Sequence, residues 1–271
     1  MSAHGGLGRP VQRAYIALIL ALTYVPILLV IVYSFNANRL TSVWGGFSLK
    51  WYAELFRDRA IFTALRNSLV LALSSSLAAA VIGTLGAAGL NRAGIPGARV
   101  MSYLAVLPIM IPEIIMGMVF LAFFALLGLP FGMCTLIIAH TVFCVPYPFL
   151  LVRARLAGLD KSCVEAARDL GAGERRAFFD ITLPLILPSV ISGTLISFAM
   201  SFDDVIISVF VTGPSVNTLP MRIFSQIKTG VSPKINALCA LLFVITVVLG
   251  LVSAYLAMGG GKKIANQQTG E

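Results

Sequence analysis

From Tyr15 to Phe35 the chain carries no charged side chain. A helix needs about 20 apolar residues to cross the hydrocarbon of a bilayer, so this run is long enough. Five more apolar stretches follow, near 67–90, 103–127, 132–152, 185–211 and 237–258. The 271 residues are 58% hydrophobic and only 11% charged, whereas a soluble domain carries about 25% charged residues. Water cannot be the main solvent of such a chain. Backbone groups do not go unpaired in lipid, so each stretch must be helical wherever it meets the hydrocarbon. The expected fold is an all-α membrane protein with six transmembrane helices, residues 1–271 forming one domain.

Basic residues set the orientation. With the N-terminus inside, the inner segments hold twelve Lys and Arg, among them Arg92, Arg99, Arg153, Arg155 and Lys161, and the outer loops hold eight. Lys and Arg favour the cytoplasmic side, so both termini are expected there. The net charge of +9 reports this topology and not nucleic acid, because no basic run is interleaved with aromatics. The first stretch is too long for a signal-peptide core and lacks a convincing cleavage site. Cys134, Cys144, Cys163 and Cys239 show no metal-ligand or CxxC spacing and read as small hydrophobes. The glycine-rich run 259–263 is too short and follows no strand, so the chain is not expected to bind ATP.

Two features of the early chain carry structural expectations. In the outer loop 36–66, Trp51, Leu55 and Phe56 fall at helical spacing with Glu54, Arg57 and Asp58 between them. They predict an amphipathic helix at the outer interface, facing a partner or packed on the bundle's own rim. In the second span, Gly83, Gly86 and Gly89 allow neighbouring helices to approach closely.

One long polar stretch, EAARDLGAGERRAFFDITLP at 165–184, interrupts the apolar pattern. Ser162 and Glu165 have the spacing of a capping box, which would start a short helix carrying Ala166, Ala167 and Leu170. Gly171 stands where a helix ends in the left-handed conformation, which glycine adopts cheaply. A second short helix is expected from near Gly173 through Phe178 and Phe179, and Pro184 is expected to mark the start of the fifth span. A small apolar centre ringed by Glu165, Arg168, Asp169, Glu174, Arg175 and Arg176 suits docking. An ordinary amphipathic surface hairpin is the alternative.

Three acids fall inside apolar spans: Glu113, Asp203 and Asp204. An ionised side chain at mid-bilayer costs about 2.5–3.5 kcal/mol on insertion scales, so such groups normally face a cavity or a partner. No Lys or Arg lies within spans three to six, which makes a cationic ligand the natural counter-charge. Gly193, Ser197, Ser201, Asp204, Ser208 and Thr212 recur in steps of three and four and predict one polar helix face. Asp203 lies roughly 100° around the axis, so the two aspartates suit different roles, and the pattern leaves open which faces a ligand. Pro108 and Pro112 would disturb the helix near Glu113, as at many transport sites. His140 reads first as a hydrogen-bonded packing residue and Tyr147, between Pro146 and Pro148, as a packing residue able to touch a ligand's aliphatic part.

The spacing Glu165-Ala166-Ala167-x3-Gly171-x9-Ile181-x-Leu183-Pro184 resembles the cytoplasmic loop by which permease subunits of ATP-binding-cassette importers engage their ATPase. The stretch from Ser201 to Leu238, with Ser34–Asn36, Pro112–Glu113 and His140–Tyr147, resembles the spermidine/putrescine permeases, and the similarity runs from about Tyr15 to Met258. The resemblance implies a type I importer (MetI-like) permease fold in the bacterial inner membrane, with a coupling loop at 158–184 between helices four and five. It implies a polyamine substrate and a complex with a second, homologous permease, two ATPases that hold ATP and magnesium, and a periplasmic polyamine-binding protein. On this resemblance Glu165, Ala166, Ala167, Asp169, Leu170, Gly171 and Pro184 would engage the ATPase. Glu113, Asp203, Asp204, Tyr147 and Ser201 would serve the substrate. The chain itself is expected to be neither an enzyme nor a holder of cofactor or metal. Two other readings stand beside this one: an importer permease for another small cationic or organic solute, and a proton-coupled transporter using Glu113, His140 and the aspartates. An intramembrane enzyme would need a nucleophile–base or metal constellation, which two histidines, one of them His4 in the tail, do not supply.

Overall fold

A computed structural model of the chain describes residues 9–39, 43–91, 95–160, 162–230, 232–248 and 251. It is helical nearly throughout. In order come α1 (Arg9–Tyr33), α2 (Lys50–Arg57), α3 (Arg59–Leu90), α4 (Ala98–Met110), α5 (Glu113–Leu126), α6 (Met133–Cys144) and α7 (Pro146–Ala157). Then follow α8 (Ser162–Asp169), α9 (Glu174–Ala177), a π-helical turn (Phe178–Thr182), α10 (Leu183–Asp203), α11 (Ile206–Val211) and α12 (Leu219–Thr229), and α13 (Pro233–Val248). The glycine-rich run at 259–263 lies outside the described residues. Packing groups the chain into two compact units, one of Met1–Arg59 with Ser225–Glu271, the other of Ala60–Phe224.

Among the described residues, four helices are long and apolar enough to cross a membrane: Val11–Tyr33, Arg59–Leu90, Met133–Ala157 and Glu174–Asp203. The expected third span, 103–127, is not one rod. Its halves α4 and α5 meet at 107°. Pro112 accounts for the break, because its ring disfavours helical geometry in the preceding residue, and Ile111 is extended (φ −87°, ψ 130°). Pro108, by contrast, sits inside α4 without ending it. The expected fifth span, 185–211, also divides. Its helix runs unbroken from Glu174 to Asp203, stops at the extended Asp204 (ψ 131°) and resumes as α11. Of the sixth, 237–258, the helix Pro233–Val248 and residue 251 are described.

In the first unit, the loop between α1 and α2 is tied by one side chain. Buried Asn36 accepts through Oδ1 from the amides of Asn38 and Gly45 and donates through Nδ2 to the Val43 carbonyl. Its own carbonyl accepts from Trp51 Nε1 at 2.6 Å. These bonds satisfy an amide that would otherwise be costly to bury. The amphipathic helix α2 forms as its pattern requires and buries Trp51 and Leu55, one turn apart. Phe56 is not on that face and is exposed, since five residues advance a helix by about 140°. Lys234 Nζ and Asp58 Oδ2 pair at 2.6 Å beside it.

The second unit holds two apolar clusters. One gathers Leu71 and Ala79 of α3, Met116 and Phe124 of α5, Leu136, Ala139 and Phe143 of α6, and Ile207 and Val211 of α11. The other joins Ala87, Phe149, Val152, Leu156 and Ile186 from α3, α7 and α10. Close approach decides where glycine is needed. A Cβ at Gly83 would stand 2.9 Å from the Phe149 amide nitrogen, and one at Gly193 would stand 2.5 Å from Pro148 Cα. Gly89 has open space around it, so not all of the small residues predicted to pack do so.

Candidate functional site, an acidic cavity and an exposed elbow

The breaks in the helices put the intramembrane acids where they stand. Because α5 restarts directly after Pro112, Glu113 is its first residue. A carboxylate there meets the positive end of the helix dipole. Asp203 is the last residue of α10 and is exposed. Both line an open cavity of about 720 Å³ whose remaining wall is largely apolar: Met200, Val205, Val209, Phe210 and Phe224 take part. No Lys or Arg belongs to this wall.

Asp204 borders the same cavity but is committed inward. Its Oδ2 accepts from the Ser208 amide and hydroxyl, each at 2.9 Å, and Oδ1 accepts from the Ile207 amide at 3.2 Å. It therefore caps the start of α11, satisfying amides that lack helical partners. His140 Nε2 lies 3.3 Å from the same carboxylate, and the His140 and Asp204 side chains are 0% and 3% exposed. His140 Nδ1 lies 2.8 Å from Ser201 Oγ, which is 2.9 Å from Ser75 Oγ on α3. One connected network thus ties α3, α6, α10 and α11 together.

The polar stripe predicted for the fifth span is therefore spent within the protein. Ser197 donates to the Cys144 carbonyl, and Thr212 beyond the break donates to the Val216 carbonyl at 2.7 Å. Ser201 is buried in the network and is not part of the cavity wall. Tyr147 is half-buried, packed edge-on against Phe143, and likewise stands apart from that wall. The structure brings Glu113, Asp203 and Asp204 to one cavity and leaves Tyr147 and Ser201 out of it. Phe210, Met200 and Phe224 were not singled out from the sequence, because an apolar residue in an apolar chain gives no contrast. Among the described residues, no group of three His, Cys, Asp or Glu is arranged to hold a metal ion.

At the other polar stretch, α8 starts at Ser162, one position earlier than a capping Ser162 would allow. Its amide donates to Asp160 Oδ1 at 2.9 Å. Bonds from the Ser162 amide and hydroxyl hold the Asp160 carboxyl below the usual Asp range. The helix ends as predicted. Gly171 takes φ +84°, its amide donates to the Arg168 carbonyl, and the Ala172 amide reaches back to the Ala167 carbonyl at 3.0 Å. This is a Schellman-type close, and it turns the chain sharply after Leu170.

Leu170 is 89% exposed at that corner, with Glu165, Ala166 and Asp169 exposed beside it and Ala167 half-buried. The arm after the corner starts at Gly173, as expected, but has no break before the long helix. Glu174–Ala177 passes through the π turn straight into α10, whose first turn holds Pro184. A proline inside a helix loses one bond and crowds the carbonyl four residues back. Here the Leu183 amide reaches five residues back to Phe178, and the widened turn makes room for the ring.

Comparison with known proteins agrees with this architecture. Residues 79–259 match the family model of the "binding-protein-dependent transport system inner membrane component". The chain is 41% identical over 240 residues to the putrescine transport system permease protein PotI of Escherichia coli K12, covering 86% of this chain and 85% of that one. It is 39% identical over 251 residues to the spermidine/putrescine permease PotC of the same organism, covering 93% and 95%. Among solved structures, a bacterial ABC transporter involved in alginate import superimposes with a TM-score of 0.73 at 16% identity, covering 94% of this chain and 98% of that chain. The inward-facing MetNI methionine transporter gives 0.59 at 21%, covering 82% and 100%. These likenesses show the type I importer permease fold. The chain belongs to the family of inner-membrane components of binding-protein-dependent transport systems.

Proposed function

We propose that this chain is one permease of an ATP-driven importer for polyamines of the putrescine and spermidine class. The observation that carries the reading is the cavity in which Glu113 and Asp203 face the same space with apolar walls and no cation among the lining residues. Such a site suits a ligand with cationic ends and an aliphatic middle: the carboxylates attract ammonium groups, and the walls take the methylenes. The relatives that transport putrescine and spermidine are similar over most of their length, which favours the same substrate class.

In this reading Asp204 supports the site without binding substrate. Its network with His140, Ser201 and Ser208 holds the break after α10 and so fixes where Asp203 stands. Tyr147 packs edge-on against Phe143 of α6, a member of the apolar cluster on which the lining Phe210 rests, and serves the site through that packing.

The elbow of α8 and α9 docks in a groove of an ATP-binding-cassette subunit, with Leu170, Ala166 and Ala167 as the apolar centre and Glu165 and Asp169 on the rim. Gly171 and Pro184 shape the elbow and the arm behind it. Two such ATPases hold ATP and magnesium, and their closure moves the elbow and opens the cavity outward. A periplasmic polyamine-binding protein then releases its cargo into a space shared with a second, homologous permease. Both termini lie in the cytoplasm, as the twelve-to-eight bias of Lys and Arg favours.

The test is uptake of labelled putrescine into proteoliposomes holding the assembled complex. ATP-dependent uptake that falls at least tenfold with both Glu113→Gln and Asp203→Asn is expected. Unchanged uptake with both amides would remove the carboxylates from the substrate path. Uptake by this chain alone, driven by a proton gradient, would replace the importer reading with a secondary transporter.

A further inference from the structure

We propose that Phe210, seated on the bare backbone of Gly117, sets the length of aliphatic chain that the cavity accepts; this rests on the polyamine reading above. Gly117 is buried one turn after Glu113 on α5, and residues four apart share a helix face. A Cβ built at Gly117 would stand 2.5 Å from Phe210 Cδ2, 3.1 Å from Cγ and 3.3 Å from Cε2. The ring of Phe210 therefore occupies the space that any other residue at 117 would need. It cannot be displaced cheaply to the rear either, because it packs against the cluster of Met116, Phe124, Ile207 and Val211.

That ring is also part of the cavity wall that Glu113 and Asp203 line. Its place thus fixes how much apolar surface lies within reach of the two carboxylates. A diamine that satisfies the acids with its ammonium groups lays its methylenes against this wall. Each methylene buried there favours binding by roughly fourfold. A ring pushed forward shortens the space, and a ring removed lengthens it. Besides the three acids, the other lining residues are Ala199, Met200, Val205, Ile206, Val209 and Phe224, and none of them is held against a described glycine in this way. Phe210 is therefore a specificity-determining residue, and Gly117 positions it.

The experiment measures ATP-dependent uptake of 1,3-diaminopropane, putrescine and cadaverine by the complete transporter in proteoliposomes, always with the same binding protein. That protein's own preference then cancels in the comparison of variants. Phe210→Ala is expected to shift the cadaverine-to-putrescine uptake ratio upward by roughly threefold to tenfold. Gly117→Ala is expected to lower uptake of all three, cadaverine most. The double variant Gly117→Ala with Phe210→Ala is expected to regain the level of Phe210→Ala, since the clash is gone. Phe210→Leu, which keeps the core filled, carries the same prediction at smaller size should Phe210→Ala not assemble. Identical ratios in the wild type and both Phe210 variants, or a double variant no better than Gly117→Ala, would overturn the inference while leaving the polyamine reading intact. A wild-type complex that takes up none of the three diamines would overturn both.

Discussion

Two polar regions interrupt this apolar chain, and they are handled in opposite ways. Around His140 and Asp204, the polar atoms turn to one another: three donors reach the carboxylate and both imidazole nitrogens find hydroxyls. At the elbow, Leu170 is 89% exposed, and the charges around it pair at the surface, Arg168 with Glu174 at 3.9 Å and Arg176 with Asp180 at 3.3 Å. The first region is complete within one chain. The second presents an exposed apolar corner with a charged rim, the surface proposed above to dock on an ATPase. Asp203 and Asp204 repeat the contrast at the scale of adjacent residues, one turned to the cavity and one to its own helix end.

The contrast can be broken at several points. The largest effect is expected from Leu170→Glu, which puts a charge at the centre of the docking corner. ATP-dependent uptake should fall to background, and the ATPase should no longer co-purify, while the level of this chain in the membrane stays unchanged. Next comes Asp203→Asn. Losing a charge-assisted bond worth about 1.5–3 kcal/mol should raise the apparent KM for putrescine roughly tenfold or more, with kcat little changed. Asp204→Asn should stay within about threefold of wild-type uptake but lower the unfolding midpoint, because its one oxygen can serve only one of the Ile207 and Ser208 amides and its NH2 is turned on the other. Asp204→Leu should destabilise by about 1–3 kcal/mol, the cost of stranding buried donors, read as a lower unfolding midpoint in detergent. The smallest effect is expected from Arg176→Ala. Its exposed pair with Asp180 contributes under about 1 kcal/mol, so uptake and unfolding should both match the wild type.

The sequence carried the local features well and the tertiary ones poorly. Gly171 announced its left-handed turn because few other residues take that conformation, and Trp51 with Leu55 announced the buried face of α2 by spacing alone. Pro112 warned of a disturbed helix, although a bend of 107° depends on what α5 packs against. The break at Asp204 was hidden, since an aspartate capping a new helix and one on a continuing polar face share the same three-and-four spacing. Pro184 marked the first turn of α10, but the π turn before it, which leaves no mark in composition, joins that helix to the arm without a break. The division between Asp203 and Asp204 starts with the local cap on α11 and is completed by His140, 64 residues away in the chain, which no local rule reaches. Phe210 could not be read at all, for its role depends on a side chain that Gly117 lacks.

The most direct measurement is putrescine uptake by the reconstituted complex, comparing the native elbow with one in which residues 165–171 are scrambled. ATP-dependent accumulation with the native elbow and none with the scrambled one, at equal amounts of this chain in the bilayer, is the predicted result. Equal accumulation by the two, with the ATPase still bound, would contradict the account.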